Sequence, residues 1–130
     1  MSTLEFHRDL NQIALLSGDG NTVGTFDAAN NVDSHSKGPW PDGQYHFDHH
    51  AAHPGDPPES PFGSHGIFIF DVPDREGMGV HSGREGVPDG RGRAGVLHCT
   101  MGCVRTTDDA MAQLVRTHSI DPITAITIAD

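Results

Sequence analysis

The chain has few basic side chains, few cysteines, few aromatic residues and no long apolar run, and these shortages exclude several classes of protein. Eight Lys and Arg face 18 Asp and Glu, and the resulting net charge of −10 argues against nucleic acid as a partner. Two cysteines are too few for the disulfide framework of a small secreted protein. No segment approaches the roughly 20 apolar residues of a spanning helix, and the N-terminus lacks the basic segment and apolar run of an export signal. We therefore expect neither a membrane span nor a signal peptide.

Glycine, proline and histidine are plentiful, with 16, 9 and 10 residues among 130. Glycine and proline at this level predict many turns without reaching the share typical of low-complexity sequence. A chain of this length has room for one hydrophobic core, so we expect a single domain over residues 1–130. The composition favours a turn-rich, mainly β domain.

Alternating and β-branched segments predict the strands. The segment LEFHRDL at 4–10 mostly follows a period of two, and the turn-forming SGDGN at 17–21 separates two apolar runs in the manner of a hairpin. Further strands or strand ends are expected in GQYHF (43–47), GIFIFDV (66–72), GMGVHSG (77–83), AGVLHC (94–99) and ITAITI (123–128). The polar, proline-broken segments 27–43 and 48–66 are expected to be loops.

One segment, TTDDAMAQLVRTH at 106–118, has the features of a helix. Thr106 or Thr107 suits the N-cap, and the two aspartates that follow favour the positive end of the helix dipole. The expected apolar face consists of Met111, Leu114 and Val115.

Cys103 lies just before this helix, after Gly102 and two residues ahead of Arg105. A thiolate is the nucleophilic form of cysteine, and a nearby imidazole, cation or helix N-terminus favours it. Gly102 leaves room for close approach of a substrate, and backbone N–H groups here could stabilise an oxyanion. The segment therefore suits acyl transfer.

The motif HSG at 81–83 followed by TMGCVR at 100–105 resembles the signature of the YkuD family of L,D-transpeptidases, in which a histidine precedes a Ser-x-Gly-Cys-[Ile/Val]-Arg segment. The segment PDGQY at 41–45 is similar to the Pro-x-Gly-x-Tyr strand of that family, and the resemblance covers roughly residues 38–128. It implies a mainly β fold, an L,D-transpeptidase-like β-sandwich with one short helix following the catalytic cysteine.

The resemblance also implies roles for individual residues. Cys103 corresponds to the nucleophile and His81 to the general base, while the backbone carbonyl of Ser82 would orient the imidazole. Gly102 and Cys103 would lend N–H groups to the oxyanion hole. The residues expected to contact the substrate are Arg105, Tyr45, Thr100 and His98.

Two departures from the family pattern stand out. Met101 occupies a position where the family often has histidine, and His81 precedes Cys103 by 22 positions, with GVPDGRGR at 86–93 as the inserted segment. His98, five residues before Cys103, is an alternative base. These departures bear on the substrate more than on the fold.

The chemistry that the resemblance implies is a thioester acyl-enzyme on a peptidoglycan stem peptide, ending as transpeptidation or as L,D-carboxypeptidase cleavage. Thiol and imidazole supply this chemistry, so we expect no cofactor and no metal in it. The substrate lies in the periplasm or cell wall, and without a visible signal peptide the chain needs a specialised export route or cytoplasmic residence before release. A delivery protein and an immunity protein are then possible partners.

Other interpretations stay open. Cys103 could be a buried structural thiol, and Cys99 is expected to be a core thiol or an occasional disulfide partner of Cys103. The alternative function is a noncatalytic metal- or ligand-binding module built on the histidine-rich loop at 46–65. Imidazole and carboxylate suit Zn²⁺, although the prolines from Pro54 onward oppose a helix there and no HExxH spacing occurs.

Overall fold

The computed structural model describes residues 1–33 and 36–130. The described residues form eight strands, a 3₁₀-helix at Gly95–Leu97 and one α-helix, α1 (Asp108–Ile120). The strands are β1 (Ser2–His7), β2 (Gln12–Leu16), β3 (Thr22–Ala29), β4 (Gly43–Ala51), β5 (Ile67–Phe70), β6 (Gly79–His81), β7 (Val104–Thr106) and β8 (Ile123–Ala129).

These strands close into a barrel in the order β1-β2-β3-β7-β6-β5-β4-β8. One side is the sheet β3-β2-β1-β8-β4 and the other is β3-β7-β6-β5-β4, so β3 and β4 turn the corners between them. Most pairs are antiparallel, but β1 with β8 and β6 with β7 are parallel. The prediction of a mainly β, sandwich-like fold with one helix after Cys103 is confirmed.

The period of two in the N-terminal strands places their apolar side chains inside. Leu4 and Phe6 of β1 are buried, and so are Ile13 and Leu15 of β2, whereas the residues between them are partly exposed. Asn11 turns the chain between these strands at a φ of 49°, which asparagine tolerates better than most residues. The predicted hairpin of β2 and β3 is also confirmed.

One hydrophobic core fills the space between the two sheets and α1. Its side chains include Phe6, Trp40, Phe68, Phe70 and Ile126, each no more than 2% exposed. Trp40 is the only tryptophan in the sequence, so tryptophan fluorescence reports directly on the packing of the core.

Helix α1 forms as predicted. Thr107 is the N-cap, and its Oγ1 accepts a hydrogen bond from the N–H of Ala110 at 3.0 Å. Met111 and Leu114 are fully buried, and Val115 packs partly against the core. The helix begins at one of the two predicted N-caps and ends at Ile120, two residues later than expected.

Three expected elements differ from the structure. Strand β1 ends at His7 because residues 8–10 enter a turn, and Leu10 is exposed. Strand β4 runs to Ala51 because it pairs with β8 along its first half and with β5 along its second, so the start of the histidine-rich segment is strand rather than loop. The strand expected at 94–99 is wrong. Gly95 has a φ of 59° and donates to the carbonyl of Arg84, which bends the chain into the 3₁₀-helix.

The predicted loop at 27–43 is also shorter, because β3 continues to Ala29. Its positions 34 and 35 lie outside the described residues. Within those residues, no helix combines the length and apolar character needed to cross a membrane.

Candidate active site

The parallel pairing of β6 with β7 brings the two predicted catalytic residues to one edge of the sheet. Val80 lies opposite Val104 and His81 lies opposite Arg105, so the register places Cys103, which precedes β7, level with Gly79 at the start of β6 and two positions from His81 along that strand. The Cys103 Sγ contacts the carbonyl of Gly77 at 3.6 Å, as a weak donor. The strand pair thus brings two residues that are 22 positions apart in sequence onto adjacent segments of one sheet.

His81 is buried, with 2% of its surface exposed. Its Nδ1 lies 2.7 Å from the carbonyl oxygen of Ser82. A carbonyl only accepts, so Nδ1 carries the proton and Nε2 is left as the basic nitrogen. Burial lowers the pKa of His81 to about 4, against the raising effect of the Ser82 carbonyl and with a further lowering from the charge of Arg105. The imidazole is therefore neutral at physiological pH and can accept a proton.

Burial also raises the pKa of the Cys103 thiol, although the Gly79 N–H and the charge of Arg105 oppose this. The resting pair is therefore a neutral thiol and a neutral imidazole. A thiol in that state needs a base to take its proton when it attacks.

Ser82 is held by Asp108, the first residue of α1. The Ser82 Oγ donates to Asp108 Oδ1 at 2.8 Å, and the N–H of Ser64 donates to the same oxygen at 3.1 Å. Burial acts to raise the pKa of Asp108, but these hydrogen bonds and the nearby His65 outweigh it and the pKa lies below its ordinary value. The Asp108 carboxylate thus connects three parts of the site, namely the start of α1, Ser82, whose carbonyl orients His81, and the loop at 52–66.

Arg105 is buried, and its guanidinium is surrounded by carbonyl groups. Nη1 donates to the carbonyls of Pro61 and Ser82 at 3.2 and 3.3 Å, and Nη2 donates to that of Cys99 at 3.3 Å. Within the described residues, its Nε has no hydrogen-bond partner. Burial lowers the pKa of Arg105 to about 10, so the side chain remains a cation. It links three segments around the cysteine, and its expected contact with substrate stays a prediction.

The turn that presents the thiol, residues 100–103, is braced from within. Thr100 Oγ1 accepts from the N–H of Gly102 at 3.1 Å and donates to the carbonyl of Cys103 at 2.7 Å. Gly102 has a φ of 138°, which only glycine adopts readily. Its N–H is engaged inside this turn, so the predicted oxyanion role of Gly102 requires that bond to open. The parts assigned to Gly102 and Thr100 stay predictions.

Asn30 holds the same turn from outside, and sequence analysis missed it. Its Nδ2 donates to the carbonyls of Gly102 and Cys103 at 2.6 and 3.0 Å, while its Oδ1 accepts from Arg8 and from the Trp40 N–H, both at 2.8 Å. Both protons and both lone pairs of this amide are therefore used. An asparagine in a polar segment gave no signal for this contact, because its partners lie more than 70 positions away.

The 52–66 segment lies against the end of β6. Phe62 presents its ring edge-on to His81 at 5.1 Å, and the carbonyl of Ser60 accepts from the Arg84 N–H at 2.9 Å. These contacts cover the imidazole. Phe62 is itself 36% exposed, so it forms an outer wall of the site.

Two residues expected at the substrate have other surroundings. The Tyr45 hydroxyl donates to the carbonyl of Pro41 at 2.7 Å, and its ring packs against Trp40, on the half of β4 that pairs with β8. The His98 Nδ1 lies 2.9 Å from the carbonyl of Cys99, and the side chain belongs to a cluster with Asp89 and Cys99. Their roles in substrate binding stay predictions.

The histidine-rich segment does not converge on one point. His49 pairs with Asp48 at 2.8 Å, and His50 stacks on Phe68 and contacts the carbonyl of His65 at 2.6 Å. Among the described residues, one group of three His, Cys, Asp or Glu side chains has its ligand atoms within 4.8 Å of one another, and it consists of Asp89, His98 and Cys99, outside this segment. The metal site considered for 46–65 gains no support from this geometry.

Comparison with solved structures shows which fold this is. The L,D-transpeptidase from Xylanimonas cellulosilytica matches with a TM-score of 0.64 and 18% identity, over 98% of this chain and 59% of that one. Bd1075 from Bdellovibrio bacteriovorus matches with a TM-score of 0.69 and 17% identity, over 98% of this chain and 47% of that one.

L,D-transpeptidase 1 from Mycobacterium tuberculosis matches with a TM-score of 0.59 and 16% identity, over 99% of this chain and 62% of that one. The chain therefore spans between about half and three fifths of the length of these structures. No protein-family model and no curated protein sequence matches it. At this identity the likeness concerns the fold, and the chain has the fold of L,D-transpeptidase catalytic domains.

Proposed function

We propose that this domain catalyses cysteine-dependent acyl transfer on peptidoglycan stem peptides, as an L,D-transpeptidase or an L,D-carboxypeptidase. The observation that supports this most strongly is the environment of His81. This buried residue lies on β6, which pairs with the strand that follows Cys103, and its Nδ1–H donates to the carbonyl of Ser82. This arrangement fixes the tautomer that a general base requires. The names of the structural neighbours and the resemblance of the motif supply the substrate class.

In the first half-reaction, His81 Nε2 takes the proton from Cys103 Sγ as the sulfur attacks the carbonyl carbon of the L-centre of the diamino acid. The C–N bond to D-alanine then breaks, and His81 returns the proton to the departing amine. The product is a thioester on Cys103. Backbone N–H groups of the turn at 100–103 would stabilise the oxyanion that forms between these steps.

In the second half-reaction, an amine or a water molecule attacks the thioester and His81 again takes and returns one proton. An amine acceptor gives a cross-linked peptide, whereas water gives a shortened stem peptide. Both outcomes regenerate the thiol and need no cofactor. We assign residues 1–130 to one catalytic domain that acts in the periplasm or cell wall, with an immunity or delivery protein as a candidate partner.

The test is incubation of reduced protein with a disaccharide-tetrapeptide muropeptide. Intact mass would follow the acyl-enzyme, and chromatography would follow release of D-alanine and the peptide products. We expect activity to disappear in Cys103→Ala and to persist in Cys99→Ser, which removes the chain's other thiol. Turnover that survives Cys103→Ala, or none from a folded protein with a free Cys103 thiol, would exclude this mechanism.

A further inference from the structure

A group of side chains that could ligate a metal lies in the connection between β6 and β7. Asp89, His98 and Cys99 each offer one ligand atom, and these atoms lie within 4.8 Å of one another. Asp89 and Cys99 also line a cavity of about 290 Å³. The mechanism proposed above does not use any of the three.

Two of the three ligands are already oriented. The His98 Nδ1 faces the Cys99 carbonyl at 2.9 Å, so its Nε2 is the unprotonated nitrogen, which is the form that binds a metal. Metal-binding histidines commonly donate their other N–H to a carbonyl or a carboxylate in this way. Cys99 is a free thiol, and its sulfur becomes a strong ligand when it loses its proton.

Asp89 is held as a carboxylate. Its side chain is 2% exposed, and it accepts hydrogen bonds from the N–H groups of Arg91, Arg93 and Cys99 at 2.8, 3.0 and 3.2 Å. Ligating carboxylates are commonly supported by such hydrogen bonds.

The Arg93 side chain holds one of the two Asp89 oxygens in the structure. Its Nε donates to Asp89 Oδ2 at 2.9 Å, and with the three backbone donors this uses the four acceptor sites of a carboxylate. The Arg93 side chain is 28% exposed, so it can move into solvent, whereas the backbone donors cannot. A divalent cation would therefore replace the guanidinium and leave the backbone support in place.

We propose that Asp89, His98 and Cys99 form a binding site for a borderline-soft divalent metal of the Zn²⁺ type. One thiolate, one imidazole and one carboxylate are ligands that Zn²⁺ accepts in tetrahedral sites, and three protein ligands leave a fourth position open to water. On binding, the Cys99 thiol releases its proton to solvent. Closing the three ligand atoms to about 2.0–2.3 Å from the ion requires a small inward movement of the loop.

Such a metal would affect the neighbouring catalytic segment. The Cys99 carbonyl accepts from Arg105, and Cys99 adjoins the turn at 100–103, so a ligated Cys99 would fix one end of that turn. A metal-bound sulfur is also unable to form a disulfide with Cys103. The site would then keep the proposed nucleophile free, without taking part in its chemistry.

The first test uses Co²⁺ as a spectroscopic probe, added to tag-free, reduced protein. We expect one equivalent to give tetrahedral d–d bands and a thiolate-to-cobalt charge-transfer band, both displaced by Zn²⁺. The bands should persist in Cys103→Ala and His49→Ala and be lost in Cys99→Ser, with affinity at least about tenfold weaker in His98→Ala. A band that persists in Cys99→Ser but disappears in Cys103→Ala, or no band at saturating Co²⁺, would overturn the proposal.

The second test separates metal binding from loop stability. Arg93→Met keeps most of the aliphatic stem and removes the competing guanidinium, so it should bind Zn²⁺ several-fold more tightly in a chelator competition. A variant that merely loosens the loop would bind more weakly, and that result would contradict the proposal. Alkylation followed by mass spectrometry gives an independent measure of metal binding. Bound Zn²⁺ should protect the Cys99 thiol from alkylation while Cys103 stays reactive. Equal labelling of both cysteines in the presence of Zn²⁺ would count against the site.

Discussion

Acidification should destabilise this domain through His81. Burial lowers the pKa of this imidazole to about 4, against 6.5 for an unperturbed histidine. The unfolded chain therefore binds the proton at a higher pH than the folded chain does. The contribution of His81 to stability is fully present above pH 6.5 and is lost as the pH falls towards 4.

The size of the effect follows from the shift. A difference of about 2.5 pH units corresponds to about 3 kcal/mol in the free energy of unfolding, of which about 2.5 kcal/mol is already lost at pH 4.5. That is a large share of the stability of a domain of this size. The groups that act on the imidazole are the Ser82 carbonyl, Arg105 and His53, with the Phe62 ring against its face.

Urea denaturation followed by the fluorescence of the buried Trp40 would measure this at pH 7.5, 6.5, 5.5 and 4.5. The comparison is with His81→Gln, which does not titrate, so that the pH slopes rather than the absolute stabilities are compared. His118, whose pKa is lowered by burial and by His50, contributes in the same direction in both proteins and cancels. Equal slopes for the two proteins between pH 6.5 and 4.5 would refute the reasoning.

Three further changes have defined outcomes. Asn30→Asp replaces the amide that donates to both carbonyls of the turn at 100–103 with a carboxylate that only accepts. Turnover of the muropeptide should fall by about 10²-fold, which is a typical effect of a misplaced catalytic group. Unchanged turnover would show that the turn keeps its shape without Asn30. Asp108→Asn weakens the hydrogen bond that supports Ser82 and should lower turnover at least about tenfold. The matched control Asp109→Asn changes an exposed carboxylate in the same turn of α1 and should leave turnover unchanged. Equal losses in the two variants would mean that the charge at the start of α1, and not the contact with Ser82, matters. Met111→Ala leaves a cavity in the core and should cost about 2–5 kcal/mol in urea denaturation, and a loss below 1 kcal/mol would mean that the core closes over the gap.

Local signals in the sequence were enough to predict much of the fold. The cap at Thr107, the apolar face of α1 and the alternation in β1 and β2 each depend on neighbours within a few residues. The strand expected at 94–99 failed because apolar residues alone do not show that Gly95 turns the chain there. The segment after Phe47 was predicted to be a loop because its pairing with β5 is not visible in its own composition.

In the candidate site, too, some residues could be predicted from local sequence and others could not. Cys103 and His81 could be selected from a motif, but the residues that hold them could not. Asn30 reaches the turn at 100–103 from a distant segment, and Asp108 has two uses, of which only its place at the helix start is evident from sequence. These contacts depend on which strands pair, and a local pattern carries no information about that.

The charges around the site favour one direction of proton transfer over the other. Burial and Arg105 both disfavour a positively charged His81, so in the proposed mechanism a proton taken from Cys103 would be held weakly. The same cation favours a negative charge on the sulfur, against the effect of burial. A weakly held proton passes readily to the amine that leaves, because a strong acid is the better proton donor. The arrangement therefore promotes collapse to the thioester more than it promotes a resting thiolate, and alkylation of Cys103 should rise with alkaline pH rather than reach a plateau below neutrality.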